Sequence, residues 1–194
     1  MNIEIIEIRE DRLFEYAKIP IAFEVKSVYQ IDLINNGIGG MSLTEKEVVT
    51  FYMKDYDSYE DGSPENWVNL FNMRNWGIFL AIDNNKAIGG ATVAFNTPEI
   101  RMLDGRKDLT VLWDIRVRPE YRHQGIGTML FKYAVNWSKK KGCRQMKIET
   151  QNVNVSACKF YVKQGCKLGA IDRYGYFGHP KVSHEAMLLW YLDL

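Results

Sequence analysis

The residue types best suited to chemistry lie in one segment, Asp114-Ile-Arg-Val-Arg-Pro-Glu-Tyr-Arg-His-Gln-Gly-Ile-Gly-Thr128. The pattern predicts a strand that leads into a basic, glycine-containing turn, which then opens a long helix. The first turn of a helix has backbone N–H groups without intrahelical partners and a partial positive charge. Gly125 and Gly127 would let a phosphate approach these groups closely, and Arg122 and His123 add positive potential. The segment is therefore suited to hold a pyrophosphate.

The spacing of this segment differs from two common phosphate-binding motifs. It is not a P-loop, because no Gly-Lys-Ser/Thr follows the glycines, and it is not GxGxxG. A purely structural interpretation therefore stays open at this point. In that interpretation the segment is a tight strand-to-helix connection whose glycines only relieve crowding.

A second motif follows after one predicted helix and one predicted strand, and reads Asn154-Val-Ser-Ala157-Cys-Lys-Phe160-Tyr161-Val-Lys-Gln-Gly165-Cys. The segment Arg122-x-x-Gly125-x-Gly127 comes first in the chain and this second motif follows it. As an ordered pair they resemble the two acetyl-CoA motifs of the GNAT superfamily of N-acetyltransferases. The likeness covers roughly residues 76–192. Cys166 departs from the family pattern, which usually has Phe at this packing position.

The resemblance implies an α/β fold in which a mixed, mostly antiparallel, twisted sheet of about seven strands is flanked by helices. It implies that the sheet splays between the strands near 109–117 and 146–150. We expect one N-acetyltransferase domain over 1–194, with a variable acceptor-side part (1–75) and an acetyl-CoA-binding core (76–192). The expected co-substrate is acetyl-CoA, and no metal is expected.

The same resemblance implies roles for individual residues. Backbone N–H groups from Gln124 to Thr128 would hold the pyrophosphate, and the strand at Ile115 to Val117 would pair with the pantetheine arm and stabilise the oxyanion. Tyr161 matches the family tyrosine beside the CoA sulfur and would act as general acid, or else it only packs on the sheet. Asn154 would cap its helix, contact the pantetheine, or do both. The expected cofactor-binding residues are Ile115, Arg116, Val117, Arg122, His123, Gln124, Gly125, Ile126, Gly127, Thr128, Asn154, Ala157, Phe160 and Tyr161.

An amine nucleophile must lose a proton, and a carboxylate is the usual means. Asp114, on the predicted third strong strand, is the preferred general base. Glu149 on the neighbouring strand and Glu24 in the predicted substrate region are alternatives, and each could instead be solvated or ion-paired. Tyr174 and Tyr176 would line the acceptor pocket or form a surface loop.

The acceptor is suggested by a weaker likeness to streptothricin acetyltransferases. It rests on Ala22-Phe23-Glu24-Val25, on Asn152-Val-Asn154, and on Asp172-Arg-Tyr174-Gly-Tyr176. It implies a small cationic amine and places Phe23, Glu24, Glu149, Tyr174 and Tyr176 on the substrate side. Two alternatives remain: a protein or peptide N-acetyltransferase, and a non-catalytic module that senses acetyl-CoA.

Periodicity predicts the elements that position these residues. Strands are expected at 2–8, 76–82, 87–95, 109–117, 146–150, 166–171 and 186–192, and helices at 10–18, 63–72, 125–141 and 155–164. Residues 23–31 are consistent with a strand, and 41–53 fit both a capped helix and a strand. The polar stretch 55–67 is expected to be a loop.

Composition narrows the function classes. The 194 residues suit one compact domain, and 25 Lys and Arg against 24 Asp and Glu do not favour a nucleic-acid partner. No apolar run is long enough to cross a bilayer, and the N-terminus shows no signal-peptide pattern, so we expect a cytoplasmic protein with no membrane partner. The expected state is a monomer or a homodimer, between which the sequence does not decide. Cys143, Cys158 and Cys166 lack metal-ligand spacing and are expected to be reduced and buried.

Overall fold

A computed structural model describes residues 2–59 and 62–194. The strands are β1 (Glu4–Ile8), β2 (Phe23–Leu33), β3 (Met41–Lys54), β4 (Gly77–Asp83), β5 (Lys86–Phe95), β6 (Leu109–Val117), β7 (Gln145–Gln151), β8 (Lys167–Asp172) and β9 (Met187–Asp193). The α-helices are α1 (Leu13–Tyr16), α2 (Trp67–Leu70), α3 (Ile126–Lys140) and α4 (Val155–Lys163).

Over the described residues, seven strands form one sheet in the order β1-β4-β5-β6-β7-β9-β8, and β2 and β3 form a separate hairpin. The pairs β1/β4, β4/β5, β5/β6 and β8/β9 are antiparallel, whereas β6 runs parallel to β7. The predicted α/β fold with a mixed seven-stranded sheet is therefore confirmed. The splay near 109–117 and 146–150 stays a prediction.

Packing divides the chain into two compact units, and each is described by itself. The first unit, called the donor unit below, comprises Met1–Ala22, Asp55–Ile148 and Leu192–Leu194. The second, called the acceptor unit below, comprises Phe23–Lys54 and Glu149–Tyr191. The organisation as a single functional domain stays a prediction.

Alternation along β4 explains how the donor unit is layered. Ile78 and Leu80 belong to a buried cluster with Leu13, Tyr16 and Trp76 on one face of the sheet. Phe79, between them, points to the other face, because side chains alternate along a strand. There its ring centroid lies 5.0 Å from that of Tyr133 and 6.1 Å from that of Trp137, both on α3. The predicted amphipathic helix thus covers one face of the sheet.

A β-bulge interrupts the pairing of β5 with β6. Thr92 lies opposite Asp114 and Val93 lies opposite Leu112, so Trp113 is the extra residue. The Trp113 ring packs 5.1 Å from Phe71 and 5.5 Å from Trp76, centroid to centroid. Trp113 is therefore a packing residue.

In the acceptor unit, the ambiguous segment 41–53 is a strand. β3 pairs antiparallel with β2 over a long hairpin, with Leu33 opposite Met41 and Phe23 opposite Lys54. The β-branched and aromatic residues of this segment favour a strand, and the structure has a strand here instead of the helix that the Thr44-x-x-Glu47 capping pattern predicts. The register shifts between Val25 and Ser27, where β3 contains extra residues.

The two early helices are shorter than predicted. Helix α1 covers four residues and directly follows a 3-10 turn at Glu10–Arg12. Helix α2 also covers four residues and directly follows a 3-10 turn at Pro64–Asn66. The predicted loop 55–67 contains a further 3-10 turn at Tyr56–Ser58. Glu60 and Asp61 of that loop lie outside the described residues.

Candidate active site

The turn between β6 and α3 has the geometry that the sequence predicts. Gly125 precedes the helix with φ +85°, a left-handed conformation that glycine adopts at no steric cost, and a Cβ there would meet open space. His123 is also left-handed, with φ +62°. The N-cap residue of α3 is Gly125, which has no side chain to cap the first turn. A 15-residue helix therefore presents its first N–H groups beside an open glycine, which fits an anionic diphosphate.

Arg122 binds backbone carbonyls within the donor unit. Its Nε donates to the carbonyl of Val117 at 3.0 Å, and an Nη donates to the carbonyl of Ala22 at 2.9 Å. Burial lowers the pKa of Arg122 from its ordinary value, but an arginine remains charged at neutral pH. Arg122 therefore fixes the turn as well as adding positive charge beside it.

Asp114, the preferred base of the sequence analysis, lies in a buried ion pair. Its Oδ1 accepts a hydrogen bond of 2.6 Å from the Tyr16 hydroxyl and one of 2.9 Å from Arg116 Nε. Its Oδ2 accepts a further hydrogen bond of 2.8 Å from Arg116. The side chain of Asp114 is 7% exposed and that of Arg116 is 1% exposed. Asp114 therefore has the contacts of a charge partner for Arg116.

Arg116 uses its whole guanidinium fork in this cluster. Two hydrogen bonds of 2.8 and 3.0 Å reach Asp57, and one of 3.0 Å reaches the carbonyl of Ile19. Together with the two bonds to Asp114, they occupy all five N–H donors of an arginine. Burial disfavours the charge of Arg116, but Asp114 and Asp57 outweigh that effect and the pKa is raised.

Sequence reasoning did not identify Tyr16 or Asp57. Tyr16 is fully buried, and its ring lies against the backbone at Gly90, where any Cβ would collide with it. Burial and the Asp114 carboxylate raise the pKa of Tyr16 well above its ordinary value. The alternation of Asp114 and Arg116 on one strand face was a signal for their pairing, whereas Asp57 lies in a loop with no periodic pattern.

In the acceptor unit, Glu149 and Tyr176 come together. The Tyr176 hydroxyl donates to Glu149 Oε1 at 2.6 Å and accepts a hydrogen bond of 2.9 Å from Gln151 Nε2. Two of the predicted substrate-side residues thus form one hydrogen-bonded group. Gln151 is an additional member that the sequence analysis did not name.

Other predicted substrate-side residues lie elsewhere in this unit. Phe23 and Glu24, at the start of β2, line a cavity of about 240 Å³, and Glu24 forms an exposed ion pair with Lys26 at 3.1 Å. Tyr174 is 68% exposed, and the guanidinium carbon of Arg173 lies 5.7 Å from its ring centroid. The structure therefore places Tyr174 on the surface.

The second motif forms helix α4 as expected. Asn154 caps the helix, because its side-chain oxygen accepts a hydrogen bond of 3.1 Å from the Ala157 N–H. Tyr161 is buried in the same helix, with its ring centroid 5.4 Å from that of Phe160. The predicted N-cap role of Asn154 is confirmed, and the catalytic role of Tyr161 stays a prediction.

A hydrogen-bonded frame connects three segments of the acceptor unit. Asn152 Nδ2 donates to the carbonyl of Tyr29 on β2, and Asn152 Oδ1 accepts from the Ala186 N–H just before β9. Next to Ala186, Glu185 forms an ion pair with Lys54 at the end of β3, and the two side chains are only 3% and 4% exposed. The segment between β8 and β9 is therefore fixed at its end.

Two further features bear on the chemistry. Over residues 2–59 and 62–194, no group of three or more His, Cys, Asp or Glu side chains is placed to hold a metal ion. Within the same residues, no helix is long and apolar enough to span a membrane.

Comparisons with known proteins place this geometry in a family. Residues 44–166 match the model of the acetyltransferase (GNAT) family. Streptothricin acetyltransferase A of Bacillus subtilis is 29% identical over 161 residues, which are 83% of each chain. Streptothricin acetyltransferase of Escherichia coli is 28% identical over 87% of this chain and 84% of its own.

A solved structure extends the likeness to the whole chain. The crystal structure of a candidate streptothricin acetyltransferase from Bacillus anthracis, in complex with acetyl coenzyme A, superposes with a TM-score of 0.77. The match covers 100% of both chains at 27% sequence identity. The chain therefore belongs to the acetyltransferase (GNAT) family, and it is an N-acetyltransferase whose acetyl donor is acetyl-CoA.

Proposed function

We propose that this enzyme acetylates an amine of a small cationic molecule, with a streptothricin-type antibiotic as the leading acceptor. The observation that carries the proposal is the extent of the likeness to streptothricin acetyltransferases. It spans 83% of the chain in sequence and the whole chain in structure, well beyond the family match at 44–166. The acceptor side of the chain is therefore similar as well as the acetyl-CoA side.

On the donor side, we propose that the N–H groups from Gln124 to Thr128 bind the diphosphate of acetyl-CoA. The N-cap glycine of α3, which has no capping side chain, and the open space at Gly125 support this assignment. His123 and Arg122 add positive charge beside the turn. The backbone of Ile115 to Val117 would pair with the pantetheine arm. We also propose Asn154, Ala157 and Phe160 as residues that contact acetyl-CoA.

Bound acetyl-CoA supplies an acetyl thioester, so the amine nitrogen forms a C–N bond with the acetyl carbon while the C–S bond breaks and the thiolate leaves. The ammonium nitrogen of the acceptor loses two protons on becoming an amide nitrogen, one before it attacks and one after, while the thiolate gains one. The chain must therefore accept the first proton, which then passes to solvent, and supply one to the thiolate, which the second proton from the nitrogen replaces. We assign the second task to the Tyr161 hydroxyl, which can donate a proton to a leaving group.

We favour Glu149 over Asp114 as the group that accepts the proton from the ammonium of the acceptor. The Asp114 carboxylate is buried, and it already accepts three hydrogen bonds from Arg116 and Tyr16. Glu149 is half-buried rather than buried, and its Oε1 accepts a hydrogen bond from a neutral tyrosine hydroxyl. Glu149 is therefore better suited to take a proton from an ammonium group.

Carboxylates on the acceptor side support a cationic acceptor. Glu149 and Glu24 could attract an ammonium group by Coulomb forces, and the attraction would weaken with salt where the charges are exposed.

We also propose that the protein is cytoplasmic and that it is a monomer or a homodimer.

The test is release of free CoA thiol with a panel of amines: streptothricin, a polyamine, an aminoglycoside and a lysine peptide. We expect the highest kcat/KM for streptothricin and a fall in kcat/KM between low and moderate ionic strength. A preference for the peptide, or reaction only with uncharged amines, would contradict the proposed acceptor class.

A further inference from the structure

Three polar side chains of the acceptor unit form a directed row. Glu149 and Gln151 are two residues apart on β7, so their side chains share one face of the strand. Tyr176 bridges them, because its hydroxyl accepts from Gln151 and donates to Glu149. Tyr176 is buried, although it belongs to the segment between β8 and β9, which contains no helix or strand in the described residues.

The direction of these hydrogen bonds is set by the chemistry of the groups. A hydroxyl carries one hydrogen, and the amide NH₂ of glutamine can only donate. Because Gln151 Nε2 points at the Tyr176 oxygen, the tyrosine hydrogen is available for Glu149. The resulting O···O distance of 2.6 Å is typical of a hydrogen bond to a charged carboxylate.

We propose that Tyr176 is the positioning residue for Glu149 and that Gln151 fixes the direction of the Tyr176 hydroxyl. The proposal rests on the assignment of Glu149 as the proton acceptor. A glutamate side chain has three rotatable bonds, and proton transfer requires the carboxylate within hydrogen-bond reach of the ammonium. A hydrogen bond to one carboxylate oxygen holds the group in one orientation.

The segment that carries Tyr176 is fixed well enough for this task. Its end is held by Asn152, which bonds Ala186 in both directions: Asn152 Oδ1 accepts from the Ala186 N–H at 2.8 Å, and the Asn152 N–H donates to the Ala186 carbonyl at 3.0 Å. The buried ion pair between Glu185 and Lys54 adds a second attachment. Tyr176 is therefore presented by a segment with defined attachments, which a positioning residue requires.

The experiment is a cycle of four proteins: wild type, Tyr176→Phe, Glu149→Gln and the double variant. Single-turnover rates of acetyl transfer are measured with the best amine of the panel above. We expect Tyr176→Phe to lower the rate by about tenfold and Glu149→Gln by about a hundredfold or more. The double variant should be no slower than Glu149→Gln, because a positioning residue acts only through the group that it positions.

Affinity for acetyl-CoA and the melting temperature serve as readouts that should not change in Tyr176→Phe. Tyr133→Phe makes the same chemical change on α3, where the ring packs against Phe79, and should leave the rate unchanged. If Tyr176→Phe fails to fold, Gln151→Leu replaces it, with a smaller fall in rate that also disappears in the Glu149→Gln background.

Each other outcome overturns the proposal. A full rate in folded Tyr176→Phe, or additive losses in the double variant, would show that Tyr176 does not act through Glu149. A full rate in Glu149→Gln would remove Glu149 from proton transfer and the positioning role with it. In that case the acceptor preference measured with the amine panel would still decide the proposed function separately.

Discussion

Arg116 donates two hydrogen bonds to Asp114, one of 2.9 Å to Oδ1 and one of 2.8 Å to Oδ2, and both side chains are buried. The pair lies on the strand that is proposed to hold the pantetheine arm. Its geometry is that of a buried ion pair, and the sequence alone does not show this pairing for Asp114.

We expect Asp114→Asn to reduce stability far more than turnover. Removing one partner of a buried ion pair costs about 3–5 kcal/mol, although Asp57 would still balance part of the Arg116 charge. The check is the free energy of unfolding in urea, together with kcat of the folded variant. Asp108→Asn is a matched control, because it makes the same chemical change in an ion pair with Arg144, whose side chain is 83% exposed, and an exposed pair contributes little to stability. A normal stability with kcat reduced a hundredfold would instead make Asp114 the base.

Gly125→Asp should weaken acetyl-CoA binding, because it places a negative charge beside the proposed diphosphate site. Any side chain at φ +85° also adds backbone strain. Gly125→Asn is therefore the control, with nearly the same shape and the same strain but no charge. Calorimetry should show at least about a tenfold weaker affinity for the Asp variant than for the Asn variant. Equal affinities would argue against a diphosphate at this turn.

Tyr161→Phe removes the proposed proton donor while keeping the buried ring. We expect kcat to fall by a factor of about 10² or more, with acetyl-CoA affinity and melting temperature little changed. Measurements with single-turnover kinetics would establish that the chemical step is observed. An unchanged rate of that step would leave Tyr161 with a packing role only.

The buried cysteines predict a pH dependence of stability. Burial raises the pKa of Cys158 to about 11, whereas a thiol in the unfolded chain titrates near about 8.5. Between these values the folded state binds more protons, so stability is full below about pH 8.5 and declines as the pH rises toward 11. The stability difference between wild type and Cys158→Ala should therefore shrink by roughly 1–2 kcal/mol from pH 8 to pH 10. A constant difference would show that Cys158 ionises equally in both states.

The elements with strong local patterns were predictable. The apolar spacing of Ile126 to Trp137 predicted α3, and Asn84 and Asn85, which adopt positive φ, marked the turn between β4 and β5. The cap at Asn154 was also predictable, because it depends on residues three apart in sequence. Local chemistry decides all three features.

Features that depend on distant residues could not be predicted. The hydrogen bond from Tyr16 to Asp114 joins residues 98 apart, and the bonds from Arg116 to Asp57 join residues 59 apart. No periodic pattern indicates such pairs. A single sequence shows a titratable side chain but not its partner. The bond of Asp114 with Tyr16 and the bond of Glu149 with Tyr176 therefore appear only in the structure.

The ion pair between Lys54 and Glu185 restricts how this protein can evolve. Replacing either residue alone removes the ion-pair partner of a charge that is almost fully removed from water. The cost is about 3–5 kcal/mol, which is a large share of the stability of a typical domain. Replacing both with apolar residues of similar volume is often neutral or stabilising. A change from the ion pair to an apolar pair, made one residue at a time, therefore passes through an unstable single mutant. A lineage could cross to that alternative only through a nearly simultaneous double change, or after other substitutions had first raised its stability.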